Sequence, residues 1–298
     1  MLNLDDQKIK FLEGKANEIR QSIIEMLMEA GSGHSAGPLG MADIFTALYF
    51  HILRHDASNP NWEDRDRLVL SNGHIAPVLY ATMAHAGYLG IEELKTLRKF
   101  GTRLQGHPHR EYLPALENSS GPLGCGLSQA VGMCIADKMD HGKYSGKQFY
   151  CLMSDGELEE GNTWEGAMLG GKEKLQNLTA IIDRNNIQIE GYTEDIMPLE
   201  PLADKWRAFN WQVQVIDGHN FTAIVEAVGQ AHAEFSKPSM IIANTIPGKG
   251  VSFMERRFEW HGNPPGKGPD DVVPKEKQGI EALKELRTLQ GKIVSEHE

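Results

Sequence analysis

At 298 residues, 40% hydrophobic and 24% charged, the chain has a soluble globular composition and enough length to bury one large core. Its formal charge is −11, from 30 Lys and Arg against 41 Asp and Glu with no basic block, which argues against nucleic acid and anionic membranes as partners. No apolar run reaches the length of a membrane-crossing helix, the N-terminus is charged from Asp5 onward without a secretory signal, and Cys125, Cys134 and Cys151 are an odd set without metal or redox spacing, so a reducing cytoplasm is expected.

Ile9, Leu12, Ala16, Ile19, Ile23, Met26 and Leu27 recur at helical spacing and predict a helix over Lys8–Ala30. The glycine-rich loop from Gly31 to Pro38 carries His34 and leads into an apolar helix from about Leu39 to Leu53. It is not a dinucleotide fingerprint, which must follow a strand rather than a helix. Arg67–Leu70 predicts a short strand ending at Ser71-Asn72-Gly73-His74, then a helix through Ala84 with Pro77 in its first turn. His107 lies in the irregular stretch from Gln105 to His109, and the glycine-rich loop from Asn118 to Leu127 opens a helix from about Ser128 to Met139.

A polar connector over 141–148 leads to the buried strand Phe149–Met153, a helical segment, and the strand Leu178–Ile182. A helix near Leu202–Phe209 follows, then the strand Gln212–Ile216, a helix from about Thr222 to Phe235, and the strand Met240–Thr245. The Gly- and Pro-dense stretch from Glu255 to Pro274 carries His261, and Ile280, Leu283, Leu286, Leu289 and Ile293 predict an amphipathic tail helix over Lys275–Ile293. Strands alternating with helices predict an α/β fold, a doubly wound and mainly parallel sheet of about five strands with helices on both faces.

Two of those strands end in chemistry. Parallel strands joined by a helix point the same way, so Asp155 and Asn185 are expected to emerge together at the carboxyl edge, where open α/β sheets bind ligands. A carboxylate, a carboxamide and a nearby backbone carbonyl form an all-oxygen set that suits Mg²⁺ or Ca²⁺ better than zinc, with about three positions of an octahedral ion left for phosphate oxygens and water. Gly156 lets the backbone approach a ligand, and the N-terminus of the next helix favours an anion. Glu157, Glu159 and Glu160 share that first turn, and two like charges about 4 Å apart repel by roughly 4 kcal/mol at an effective dielectric near 20. A phosphate there needs a divalent cation between it and the acids, which makes this a metal-bridged diphosphate site. His34, His74, His107 and His261 each sit beside a glycine, and imidazoles donate to phosphate and carbonyl oxygens and move protons near neutral pH.

Asp155-Gly156 followed 30 positions on by Asn185-Asn186 resembles the thiamine diphosphate signature, in which Gly-Asp-Gly precedes Asn-Asn; Ser154 stands where that signature usually has Gly. In order, GSGHSAGPLG, SNGHIAPVLY, QGHP, SSGPLGCGLSQAVGM, SDGELEEGNTWEGA, IIDRNNIQIEG, IDGHN and the EWHG segment resemble the N-terminal portion of transketolase, from about Ala16 to about Pro265. The resemblance implies that residues 1–298 are a single diphosphate-binding domain, with the first and last helices as flanking elements, that takes thiamine diphosphate with Mg²⁺ or Ca²⁺. It implies Asp155, Asn185 and the backbone carbonyl of Ile187 as metal ligands. His74, Gly121, Leu123, Gly156, Asn185 and His261 match cofactor contacts, with Ile189 packing on the cofactor rings. His34, His107 and His261 match the catalytic residues that meet the sugar around its carbonyl, and Glu160 and Glu165 match positions at a subunit interface.

The implied activity is transfer of a two-carbon ketol unit from a ketose phosphate to an aldose phosphate, in pentose phosphate metabolism. Chains of that family usually continue into a further domain whose glutamate activates the pyrimidine and whose basic residues hold the sugar phosphate. This chain is therefore expected to be the N-terminal subunit of a split transketolase, in a heterotetramer with two copies of a C-terminal subunit. A split enzyme for a branched sugar phosphate, a chain like 1-deoxyxylulose-5-phosphate synthase, and a non-catalytic cofactor-binding assembly domain are the competing readings.

Overall fold

The computed structural model describes residues 4–142 and 145–290; Ile293 of the expected tail helix and residues 143–144 of the connector lie outside them. Helix α1 (Asp6–Ala30) starts at Asp5, whose carboxylate accepts the Lys8 N–H at 2.7 Å, and stops at Gly31, which is left-handed at φ 57°. Its Leu12, Ile19, Ile23 and Leu27 form the buried stripe. Helix α2 (Ala36–Ala47) is buried on every side, which explains a sequence that is apolar but for Asp43 and Thr46, and it runs on into a π turn at Leu48–Ile52.

Next come β1 (Arg67–Leu70), α3 (Ala76–His85), α4 (Cys125–His141), β2 (Phe149–Ser154), α5 (Gly161–Glu173) and β3 (Leu178–Arg184). A small hairpin, β4 (Ile187–Gln188) and β5 (Gly191–Tyr192), leads to α6 (Thr193–Ile196) and α7 (Leu202–Ala208). The chain continues through β6 (Gln212–Asp217), α8 (Phe221–His232), β7 (Ser239–Asn244) and α9 (Gln278–Gln290). The five long strands form one parallel sheet in the order β1-β2-β3-β7-β6.

Side-chain alternation along the strands builds a core on each face. Tyr150 and Leu152 of β2, Ile181 of β3 and Ile241 of β7 join the core under α1, α2, α3 and α8. Cys151 and Met153, Ala180 and Ile182, and Met240 and Ile242 join the core under α4, α5 and α7. The expected α/β sheet with helices on both faces is the observed one. Cys134 and Cys151 are buried free thiols, and Cys125 is a half-buried one. Among the described residues no helix is long and apolar enough to cross a membrane.

Several boundaries differ from expectation. The helix after the second glycine-rich loop begins at Cys125 rather than Ser128. The helical segment after Ser154 is split into a 3₁₀ turn, Gly156–Glu159, and α5, so the three glutamates do not share the first turn of an α-helix. Of the expected apolar stripe of α9, Leu283 and Leu286 are buried, beside Ala282, while Ile280 and Leu289 face outward. The β4–β5 hairpin was not expected, because two-residue strands are too short to show alternation.

A buried polar network ties the first helices to the far edge of the sheet. Arg20 on α1 donates to both carboxylate oxygens of Asp43 on α2, at 3.0 and 2.6 Å, and His219 Nδ1 donates to Asp43 Oδ2 at 2.7 Å. His219 Nε2 accepts the Ile246 N–H at 2.7 Å, which fixes the tautomer of a neutral ring. Burial raises the Asp43 carboxyl, but Arg20 and His219 outweigh it and hold the group below the usual carboxylate range. Removing one partner leaves Arg20 buried without a counter-charge, so Asp43→Ala is expected to cost about 3–5 kcal/mol in urea unfolding. A loss below about 1 kcal/mol would show that the network carries little of the fold.

Candidate functional site

Strands β2 and β3 run in register to Ser154 opposite Asp183, and the Asp155 N–H donates to the Asp183 carbonyl at 3.2 Å. This places two carboxylates side by side at the carboxyl edge, both fully buried. Asp155 Oδ1 accepts the Gly156 N–H at 2.8 Å; its Oδ2 accepts the Asn186 N–H at 2.6 Å and Arg184 Nη1 at 3.2 Å. Asp183 accepts Thr245 Oγ1–H and, at 2.7 Å, Asn185 Nδ2–H. Asn185 Oδ1 accepts the Ile187 N–H at 3.0 Å, which folds the chain into the β4–β5 hairpin.

The charge at this edge does not balance. Besides Asp155, Arg184 serves Glu194 at 2.6 Å and Glu200 at 3.2 Å, so one guanidinium is shared among three acids. Burial, only partly offset by Arg184, pushes the Asp155 carboxyl up to about 6. Burial pushes Asp183 up to about 7; Thr245 opposes that rise and the Asp155 charge adds to it. Buried carboxylates displaced upward in this way are short of positive charge.

Above that edge lies a cavity of about 460 Å³. His34, His74 and His261 cluster on its wall, with ring centroids 5.0 Å (34–74), 5.4 Å (34–261) and 5.2 Å (74–261) apart. His107, Gly121, Leu123, Gly156, Ile187 and Ile189 also line it, so the two glycine-rich loops, the histidine-bearing stretches and the hairpin meet there. Asp155 and Asn185 are not on the wall: they are buried, Asp155 between the wall residues Ser154 and Gly156 and Asn185 two positions before the wall residue Ile187. Burial, then the neighbouring His261, Arg98 and His107, push the His34 imidazole down to about 3, and burial pushes His261 down to about 4. His74 is pushed well below its ordinary value by burial and by His261 and His34, and His107 is lowered by burial and by Arg98. The three clustered rings are thus uncharged at neutral pH. Among the described residues, the Nδ1 atoms of His34 and His261 and both amide atoms of Asn72 are buried without a hydrogen-bond partner. His34 and His261 line the cavity, and such atoms there await a ligand or water.

The acids expected beside Gly156 do line the cavity, but they differ in burial. Glu157 is fully buried, and its carboxylate accepts Ser71 Oγ–H, the Gly124 N–H at 2.7 Å and the Ser154 N–H at 3.3 Å. It is a clamp between β1, the loop before α4 and β2, and together with Glu159 and Glu160 it also lines the cavity. Gly126 is required beside it: a Cβ there would lie 2.3 Å from the Ser71 Cβ. Glu159 and Glu160 are exposed, as is Glu165 on α5. The pattern in the sequence missed Asp183 and Arg184 as site residues, although a charged pair closing an otherwise apolar strand was a visible signal. Nothing in spacing pointed to the Ser71–Glu157 clamp, which joins residues 86 positions apart.

A parallel sheet with a histidine-walled cavity at its carboxyl edge, above an oxygen-rich acid pair, defines an α/β domain built for a phosphorylated cofactor. The model of the transketolase thiamine diphosphate binding domain matches residues 13–290. The chain belongs to that family. It is 47% identical over 258 residues to a 6-deoxy-6-sulfo-D-fructose transketolase subunit of a Clostridium species, covering 87% of this chain and 92% of the relative. It is 40% identical over 277 residues to an apulose-4-phosphate transketolase subunit of Phocaeicola vulgatus, covering 93% and 97%. The crystal structure of Campylobacter jejuni transketolase superposes with a TM-score of 0.82 at 34% identity, over 97% of this chain but only 48% of that one. The chain thus spans about half the length of that solved transketolase.

The depressed imidazoles give a signed pH dependence. Because His34 and His261 titrate far below 6.5 in the fold, the unfolded chain takes up more protons between about pH 4 and 6.5, so this stability is present above pH 6.5 and is lost on acidification. Asp155 and Asp183, raised in the fold, act with the opposite sign over the same window, so comparison of two proteins isolates the histidine. His34→Gln is expected to reduce the acid-induced loss by about 1–2 kcal/mol in thermal melts between pH 6.5 and 4. Superimposable pH profiles would contradict the neutral, desolvated ring.

Proposed function

We propose that this chain is the N-terminal, diphosphate-binding subunit of a two-chain transketolase of the cytoplasm, with residues 1–298 as one domain flanked by α1 and α9. The observation that carries this reading is the junction of a cavity walled by uncharged histidines with a buried acid pair that one shared arginine does not neutralise. Family membership and relatives named as subunits support it.

The donor set fits Mg²⁺ or Ca²⁺. Asp155 and Asn185 present oxygen, carboxylate oxygens keep lone pairs beyond those used here, and a divalent charge would relieve what lifts Asp155 to about 6. The backbone carbonyl of Ile187 is assigned as the third ligand. Among the described residues no three His, Cys, Asp or Glu side chains come together as a metal cage, so phosphate oxygens and water must complete the shell.

When bound, thiamine diphosphate supplies a nucleophilic carbon and an electron sink for two-carbon transfer between sugar phosphates. His74, Gly121, Leu123, Gly156 and His261 hold it in the cavity, and Ile189 covers its rings from the exposed rim. His34, His107 and His261 orient the sugar carbonyl and its adjacent hydroxyls. An uncharged imidazole at neutral pH accepts a hydroxyl proton and returns it, which is the work of a general base and then acid. A C-terminal subunit supplies the pyrimidine-activating glutamate and the sugar-phosphate contacts, and donor choice resides there. Exposed Leu123 and Ile189 at the rim, and Met168 and Leu169 near Glu165 on α5, offer it an apolar face, in an assembly of two copies of each chain.

Alone, the chain is expected to move no two-carbon unit from xylulose 5-phosphate to ribose 5-phosphate, and addition of the C-terminal subunit restores transfer. Turnover by the purified chain alone would overturn the two-chain assignment. In calorimetry, Asp155→Ala is expected to weaken Mg²⁺-dependent binding of thiamine diphosphate by roughly 100-fold. Unchanged affinity would reject the metal assignment and leave the chain a scaffold.

A further inference from the structure

A second cavity, of about 400 Å³, opens at the carboxyl edge of β3, β7 and β6 and shares no wall residue with the first. The strand register sets Arg184, Asn244 and Asp217 in one row across those three strands, and all three line this cavity. The loop after β7 brings Lys249 and Arg256 to the same wall, and the turn after β3 brings Asn186. Arg256 holds a left-handed backbone at φ 62°, and Asn186 does so at φ 64°. For Arg256 that conformation is strained, and it is kept by the Arg256 N–H donating to the Pro247 carbonyl and by Tyr192 Oη–H donating to the Arg256 carbonyl.

The charge balance of this cavity is the reverse of the chain as a whole. The chain as a whole carries a formal charge of −11. Yet among the described residues the side chains of Lys249, Arg256, Asn186 and Asn244 make no hydrogen bond or ion pair, while one oxygen of Asp217 is occupied by the His219 N–H at 2.9 Å. Four donors free of protein acceptors, two of them cationic, with Lys249 half-buried and Arg256, Asn186 and Asn244 open to solvent, line a concave wall at the ligand-binding edge of an open sheet and suit an anion. The volume exceeds what a bare phosphate fills, and the two amides with Asp217 suit hydroxyl groups.

We propose that this cavity is a second binding site, for a small hydroxylated phosphate ester, with Lys249 and Arg256 meeting the anionic group and Asn186, Asn244 and Asp217 meeting the hydroxyls. The proposal stands independently of the cofactor assignment. Arg184 and the Asn186 N–H both touch Asp155 Oδ2, so the occupied site adjoins the acid pair from its other flank.

Glycerol 3-phosphate and inorganic phosphate are the probes, titrated into the purified chain with thermal shift and calorimetry as readouts. Saturable binding is expected, tighter for glycerol 3-phosphate, and K249Q/R256Q should lose it at least tenfold. The paired variant K267Q/K277Q, which removes the same charge from exposed positions, and His74→Ala, in the first cavity, should both leave it unchanged. Absence of saturable binding, or equal affinity in K249Q/R256Q, overturns the proposal. Equal loss in K267Q/K277Q reveals unspecific charge screening, and loss in His74→Ala puts the anion in the first cavity; either result also overturns it. If the double variant fails to fold, Asn244→Leu, which fills the cavity without changing charge, must weaken binding for the proposal to stand.

Discussion

The adjacency of two parallel strand ends governs this molecule. Asp155 leaves β2 one residue beyond the register that pairs Ser154 with Asp183, so two carboxylates are buried together where water cannot screen them. Arg184 is the nearest counter-charge and is shared with Glu194 and Glu200. In a medium of low effective dielectric that arrangement is expensive, and both carboxyls move upward toward neutrality as a result. A fold retains such a cost only where the surrounding structure holds it, and here that structure is extensive. Backbone N–H groups of Gly156 and Asn186 fix Asp155, Thr245 and Asn185 fix Asp183, and Ile187 fixes Asn185.

The remaining parts of the site are delivered to that edge by loops with their own supports. Glu157, which has no solvent exposure, pins Ser71, Gly124 and Ser154, and so sets His74 against the second glycine-rich loop. The Arg20–Asp43–His219 network does the same for α1, α2 and the loop after β7. Ser35 Oγ–H donates to the Asn263 carbonyl and links the loop of His34 to that of His261. Histidines from distant parts of the sequence therefore meet within 5.0–5.4 Å of one another because polar clamps, rather than apolar packing alone, position their loops.

Much of this was legible in the sequence, for identifiable reasons. Apolar runs that stop abruptly at Ser154-Asp155-Gly156 and Asp183–Asn186 announce buried strands with polar ends, and the intervening helix forces them parallel. The glycines beside His34, His74, His107 and His261 marked loops that converge in the fold. Long-range polar pairing was not legible, because neither periodicity nor turn chemistry encodes that Ser71 meets Glu157 or that Asp43 meets His219. Glu157 accordingly looked like one more acid beside the phosphate, and His219, inside a recognised motif, had no visible role. The outward turn of Ile280 and Leu289 on α9 was hidden for a related reason: helical spacing shows that a stripe exists, and only the neighbouring helix decides how much of it is covered.

The shortage of positive charge at the β2–β3 edge is tested most directly by crystals grown with Mn²⁺ and thiamine diphosphate, with anomalous scattering recorded at the manganese edge. A single anomalous peak is expected between the Asp155 carboxylate and the Asn185 carboxamide, with diphosphate oxygens completing its shell and His34, His74 and His261 around the cavity above. An anomalous map without a peak at that position, with the diphosphate bound elsewhere on the chain, would contradict it.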